Sequence, residues 1–177
     1  MLLNERLVKL LETRGTIKFN QIGFRKGFRT ADHVFTLKTL IDNSFSQKEK
    51  LYTCFVDFKK AYDTIWRNAL FFKMAKENIS TKFINIMRSM YSKLSVKVVL
   101  PDGLSSTFLS DVGLKQGCNL RPTLFNLFIN DLISKCESTE NCEAPTIDGI
   151  PVNCQLYADD LVLLSRSKQG LQNILNT

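Results

Sequence analysis

The sequence predicts a mixed α/β (α+β) fold in which a small antiparallel sheet packs on helices. Three observations predict it. Residues 51–58, and the runs on either side of Tyr157-Ala158-Asp159-Asp160, are short, apolar and the length of buried strands. Apolar residues recur at helical spacing in several longer segments. A chain of 177 residues with 44% hydrophobic and 10% aromatic content can build one domain with a real core.

Taken in order, residues 4–13 read as a short amphipathic helix, with Gly15 beyond its end. Residues 31–45 read as a second, with Val34, Leu37, Ile41 and Phe45 at helical spacing. Residues 51–58 are a strand. Residues 67–78 and 81–91 are helices split by Ile79-Ser80, and Ser80 has the chemistry of an N-cap. Residues 94–100 and 104–109 form a hairpin around Pro101-Asp102-Gly103. Residues 120–136 form a helix apolar on most sides, with a narrow polar row of Thr123, Asn126, Asn130 and Ser134, and it should be well buried. The Tyr157 hairpin follows, then a helix starting near Ser167. The loop at 137–145 carries little signal.

The chemistry is concentrated in the strand ends. Cys154-Gln155-Leu156-Tyr157 and Leu161-Val162-Leu163-Leu164 frame two adjacent carboxylates at a tight turn, Asp159 and Asp160. Like charges about 4 Å apart repel by roughly 4 kcal/mol at an effective dielectric near 20. A divalent cation would offset that, although Asp is also common in ordinary solvated turns. The 51–58 strand carries Asp57 near its end, on the same face as Phe55 by alternation. A carboxylate there is costly to bury unless paired or bound to metal. Asp63 can be explained as the head of the next helix. Three carboxylates at two strand ends, brought together, would make an oxygen site for two Mg²⁺, suited to phosphoryl or nucleotidyl transfer.

The net charge of +7 suits a polyanionic partner. Lys18, Arg25, Lys26 and Arg29 fall in one loop-rich segment with Phe19, Phe24 and Phe28 interleaved, punctuated by Gly15, Gly23 and Gly27. Such a segment can bind a nucleic-acid backbone, with its phenylalanines expected to pack inward. The chain has no run of 18 apolar residues and no secretory signal, so no membrane partner is expected. Its five cysteines form no C-x-x-C pair, and most read as buried thiols of a reducing, intracellular compartment, nuclear or cytoplasmic. Nothing in the sequence fixes an oligomeric state.

Four blocks in order carry a resemblance. Gln21-Ile22-Gly23-Phe24-Arg25-Lys26-Gly27-Phe28-Arg29-Thr30 comes first. Phe55-Val56-Asp57-Phe58-Lys59-Lys60-Ala61-Tyr62-Asp63 is second. The third runs from Gly113-Leu114-Lys115-Gln116-Gly117 through Leu120-Arg121-Pro122-Thr123-Leu124-Phe125-Asn126 to Asp131, and Tyr157-Ala158-Asp159-Asp160 is the fourth. Together they resemble the palm region of the reverse transcriptases encoded by non-LTR (LINE-like) retrotransposons. The resemblance implies a polymerase palm with part of the fingers: one partial domain over 1–177, with fingers-side helices and a basic loop at 1–50 and palm at 51–177.

It implies site roles as well. Asp57, Asp159 and Asp160 map onto the catalytic, metal-binding carboxylates, which take two Mg²⁺ with Mn²⁺ as an alternative. Phe58, Tyr62, Gln116 and Gly117 map onto the dNTP side, with Tyr62 beneath the incoming sugar as a steric gate against ribose. Tyr157, Arg25, Lys26, Arg29 and Arg121 fall on the side of primer and template. The implied partners are an RNA template, a DNA primer and dNTPs. Gly113 and Gly117 let backbone approach a ligand.

The sequence also departs from the pattern. Arg121 stands where Ser is usual, Asn119 where Pro is frequent, and Phe28 where Arg is usual. The pattern further implies fingers strands before Asn4 and a thumb after Thr177, so the chain is expected to be truncated at both ends and inactive alone. A non-catalytic retrotransposon remnant or nucleic-acid-binding module is the alternative reading. Group II intron-type and RNA-copying RNA polymerases lie nearby, and a bulky Tyr62 argues against ribonucleotide use.

Overall fold

A computed structural model describes residues 2–177. Its elements are α1 (Leu2–Thr13), α2 (Thr30–Gln47), β1 (Tyr52–Asp57), α3 (Arg67–Lys76), α4 (Thr81–Tyr91), β2 (Ser95–Val96), β3 (Val99–Leu100), β4 (Gly103–Leu104), β5 (Phe108–Leu109), α5 (Arg121–Glu137), β6 (Thr146–Ile147), β7 (Ile150–Pro151), β8 (Cys154–Tyr157), β9 (Asp160–Ser165) and α6 (Lys168–Leu175). The chain forms two compact units. One joins residues up to Lys59 with Ile129–Thr177, and the other is Lys60–Phe128. The divisions fall after Lys59 and after Phe128.

The first unit is built on a three-stranded antiparallel sheet in the order β1-β9-β8. β9 is central, so its residues from Leu163 to Ser165 are all buried, while edge strand β1 alternates half-buried and exposed. One sheet face carries Cys154, Leu156, Leu161 and Leu163 into the core. Leu7, Leu11, Leu40, Ile133 and Ile174 supply the helical side of that core. Each such side chain removed from water contributes about 1.5–3 kcal/mol. The outer edge of β8 is covered. Leu156 donates to the Asn20 carbonyl at 2.8 Å and accepts from Ile22 N–H at 3.1 Å, a short parallel bridge. Asn130, in the polar row of α5, ties the same loop down. It donates to the Thr16 carbonyl and accepts from Lys18 N–H, both at 2.8 Å.

Three details of this unit differ from the sequence expectation. The α2 stripe of Val34, Ile41 and Phe45 is exposed, and Leu40 is the buried residue of that helix. A helix buries the side its neighbours cover, and here the stripe lies along grooves: Val34 and Leu37 beside Phe55, Ile41 and Phe45 beside Tyr52. Phe19 and Phe24 do not pack inward; both are largely exposed, and Phe28 meets Phe19 edge to face at 5.5 Å. The 137–145 loop leads to an unforeseen hairpin, β6–β7, around Asp148-Gly149, both with positive φ (51° and 80°). Asp-Gly is a favoured pair for such a turn.

The second unit packs α3 on α4 through Leu70, Met74 and Met87. Ser80 caps α4 by accepting from Phe83 N–H at 3.3 Å. The expected hairpin is present as two short pairs, β2–β5 and β3–β4. Arg67 is almost fully buried and donates to the carbonyls of Gly113, Ser110 and Val112. Burial pushes its guanidinium pKa down. No local sequence pattern signals that staple.

Candidate active site

The β1–β9 register sets Asp57 directly across from Asp160, and the β8–β9 register sets Tyr157 across from Asp160 on the next strand. Cross-strand partners have Cβ atoms about 4.5–5.5 Å apart, and like charges in that position destabilise a sheet. Phe55, Asp57, Asp160, Val162 and Tyr157 share the face opposite the buried core face. Asp57 and Asp160 are exposed there, and Asp159 and Tyr157 are half-buried. None of the three carboxylates has an ion-pair partner among the described residues. Beside Asp160 runs a mainly apolar groove of about 240 Å³, walled by Val34, Leu37, Phe55, Tyr157 and Val162.

The turn that carries Asp159 is unusual. Only Ala158 and Asp159 separate the two strands, and Ala158 has φ of +57°, a region that side chains other than Gly rarely take. Ala158 is also buried. Its N–H donates to Gln21 Oε1 and its carbonyl accepts from Gln21 Nε2, each at 2.9 Å. The same Oε1 accepts from Gly23 N–H at 2.9 Å. A Cβ on Gly23 would lie 2.2 Å from Ala158 N. Gln21 and Gly23 stand within the first motif block, which assigns Gln21 no role. The only local signal is a Gln two residues before a Gly.

Among the described residues, no three His, Cys, Asp or Glu side chains are gathered tightly enough to hold a metal on their own. The acidic face therefore presents oxygens without a preformed cage. A divalent cation that takes one or two carboxylates and completes its shell with water and substrate phosphates fits such a face.

The second unit has its own constellation. Tyr62 stacks on Phe125 with ring centroids 4.3 Å apart, and the Arg121 guanidinium lies 4.7 Å from the Tyr62 ring centroid. Arg121 also pairs with Asp63 at 2.9 Å. Asp63 therefore does not head a helix; α3 begins at Arg67, and a turn closed by Asp63 N–H on the Lys60 carbonyl holds Asp63 beneath Arg121. Leu114 N–H donates to the Tyr62 carbonyl, and Gly113 N–H to the Ile65 carbonyl. A Cβ on Gly113 would meet the Asp63 carbonyl oxygen at 2.5 Å, so Gly113 admits the chain's own backbone, not a ligand. Gln116 and Gly117 follow in an exposed turn.

The basic residues divide. Arg25 makes a two-pronged pair with Glu12 at 2.8 Å and donates to the Lys18 and Gln21 carbonyls. That bonding holds the Glu12 carboxyl below its ordinary pKa. Lys18 pairs with Glu137 at 2.7 Å. Arg25 and Arg121 are thus engaged within the protein. Lys26 and Arg29 are exposed.

The family model for reverse transcriptase (RNA-dependent DNA polymerase) matches residues 2–177. The chain belongs to the reverse transcriptase family. It is 28% identical to the RNA-directed DNA polymerase of mobile element jockey from Drosophila funebris, over 94% of this chain and 17% of that protein. It is 28% identical to a probable RNA-directed DNA polymerase from transposon BS of Drosophila melanogaster, over 99% of this chain and 19% of that one. Among solved structures, telomerase from Candida tropicalis in complex with a TWJ fragment of telomeric RNA superposes with TM-score 0.71 at 16% identity, over 98% of this chain and 30% of that chain. That likeness supports a polymerase palm and fingers fold. This chain spans under a fifth of the length of these curated relatives. No described helix is long and apolar enough to cross a membrane.

Proposed function

We propose that this chain is the catalytic core of an RNA-directed DNA polymerase, adding dNTPs to a primer 3′-hydroxyl on an RNA template. The observation that carries the reading is the Asp57–Asp160 register on the exposed sheet face, beside Asp159, within the reverse transcriptase family. Two unneutralised carboxylates face each other there, an arrangement that favours bound cations. Asp57, Asp159 and Asp160 would hold Mg²⁺, or Mn²⁺ in its place. When bound, a pair of such ions activates the primer hydroxyl and stabilises the leaving pyrophosphate.

The other roles come from the family's motifs, and local structure supports some of them. Tyr62, held between Phe125 and Arg121, is a rigid wall suited to rejecting a 2′-hydroxyl. By the same motifs Phe58, Gln116 and Gly117 carry nucleotide-binding roles, and Tyr157 a primer-binding role. Exposed Lys26 and Arg29, with Phe19 and Phe24 uncovered beside them, offer backbone charge and stacking faces to nucleic acid.

The test is a Mn²⁺ titration followed by electron paramagnetic resonance, on the native chain and on Asp57→Asn, Asp159→Asn and Asp160→Asn, with primer extension alongside. Each substitution should weaken binding by roughly tenfold or more. Equal Mn²⁺ binding by the native chain and all three variants would overturn the reading and favour a non-catalytic remnant.

A further inference from the structure

We infer that Gln21 is a positioning residue whose side-chain amide clamps the Ala158–Asp159 turn and so fixes the direction in which the Asp159 carboxylate projects. The inference rests on the reading of Asp159 as a metal-binding carboxylate and adds to it the group that holds that carboxylate in place.

Gln21 is fully buried. It reaches across 137 residues to satisfy both backbone groups of Ala158, and its oxygen takes a second donor, Gly23 N–H. Both lone pairs of that oxygen are therefore used. In most two-residue hairpins the turn amide and carbonyl can be left to water. Here Ala158 is buried, so both would be orphaned without Gln21.

The turn also needs holding. Ala158 sits at φ +57°, where an L side chain is disfavoured, and such a conformation persists only when its surroundings over-determine it. The carboxylate of Asp159 leaves the chain at the next residue, so rotation about the Ala158 backbone swings it directly. Gly23 completes the device. Its missing side chain is what lets the Gln21 loop lie against Ala158 N. Gln is matched to this task because it carries a donor and an acceptor side by side on one planar group. Met has the same reach and neither function.

The experiment uses the purified chain and three variants: Gln21→Met, Asp159→Asn, and Ile133→Ala as a core-destabilised control with a fully buried site in α5. Residue-resolved amide hydrogen exchange and Mn²⁺ affinity are both read. Gln21→Met should speed exchange at Ala158 and Gly23 by roughly tenfold or more, beyond any change in Ile133→Ala. It should also weaken Mn²⁺ binding by roughly tenfold, as loss of a supporting partner does, while Ile133→Ala leaves Mn²⁺ affinity unchanged.

Unchanged exchange at Ala158 in Gln21→Met would overturn the clamp. Faster exchange with Mn²⁺ affinity equal to that of Ile133→Ala would overturn the positioning role and leave Gln21 a structural plug. If Asp159→Asn binds Mn²⁺ as the native chain does, the carboxylate reading fails, and positioning fails with it. The exchange result then still decides the clamp itself.

Discussion

Replacing Gly23 by alanine should loosen the hairpin that carries Asp159, and the cost follows from the contacts. The added Cβ would sit 2.2 Å from Ala158 N, 2.9 Å from Ala158 Cα and 3.0 Å from Gln21 Oε1. Two of those atoms are backbone and cannot swing aside. The loop must withdraw by about 1 Å to reach ordinary contact at 3.4 Å. That stretches Gln21's bonds to the Ala158 amide and carbonyl, now 2.9 Å, past hydrogen-bonding range. Each net bond is worth about 1 kcal/mol, and a buried group left orphaned costs about 1–3 kcal/mol. If the loop does not withdraw, the overpacking itself costs about 1–3 kcal/mol. Only one of the two costs applies at a time. Gly23 does not have a positive φ, so alanine regains about 0.4–1 kcal/mol through the unfolded chain. Contact with two backbone atoms puts the cost at about 2–3 kcal/mol, so the net loss is about 1–2.6 kcal/mol and should lower Tm by roughly 2–10 °C for a chain of this size. Gly27 is the internal comparison. It has φ of +89°, and a Cβ there would have nothing within 4 Å, so alanine meets only backbone strain and should cost about 1 kcal/mol. Thermal unfolding of both variants decides the matter. A Gly23→Ala Tm equal to or above that of Gly27→Ala would refute the argument from space.

Other outcomes are expected. Asp160→Asn should raise the metal-free Tm by a degree or two, since it removes a like charge opposite Asp57, while weakening Mn²⁺ binding; a lower Tm would count against cross-strand repulsion. In an extension-competent polymerase carrying this segment, Tyr62→Ala should admit rNTPs with metal binding intact, and unchanged discrimination between rNTPs and dNTPs would remove Tyr62 from the sugar site. Arg67→Met should destabilise the second unit by roughly 3 kcal/mol in urea unfolding, because it strands carbonyls of Gly113, Ser110 and Val112; a loss under about 1 kcal/mol would mean those carbonyls find other donors. Burial holds His33 below its ordinary pKa of 6.5, so the unfolded chain binds that proton more tightly. Its contribution is therefore complete above about pH 6.5 and lost as pH falls below it, and His33→Gln should flatten that decline in a Tm-against-pH series.

Much of the local structure follows from the sequence alone. Strand and helix identities, the Ser80 cap, the Tyr157 hairpin and the acidic residues at strand ends are set by periodicity and turn chemistry within a few neighbouring residues. The four blocks in their order were enough to point to the reverse transcriptase family. Which groups meet across long stretches of chain was decided only by the tertiary structure. The register of β1 against β9 puts Asp57 opposite Asp160, where a slip of one residue would send Asp57 to the core face. The direction of the α2 stripe depends on what packs against that helix, and periodicity records a stripe but not its partner. A basic side chain in sequence looks free to bind nucleic acid, yet Glu12 and Asp63 claim Arg25 and Arg121 through ion pairs that no local pattern encodes. Gln21 is the clearest case. In sequence it is an ordinary polar residue, and only folding brings it from a distant loop to the buried, left-handed Ala158, whose backbone must find partners once water is excluded.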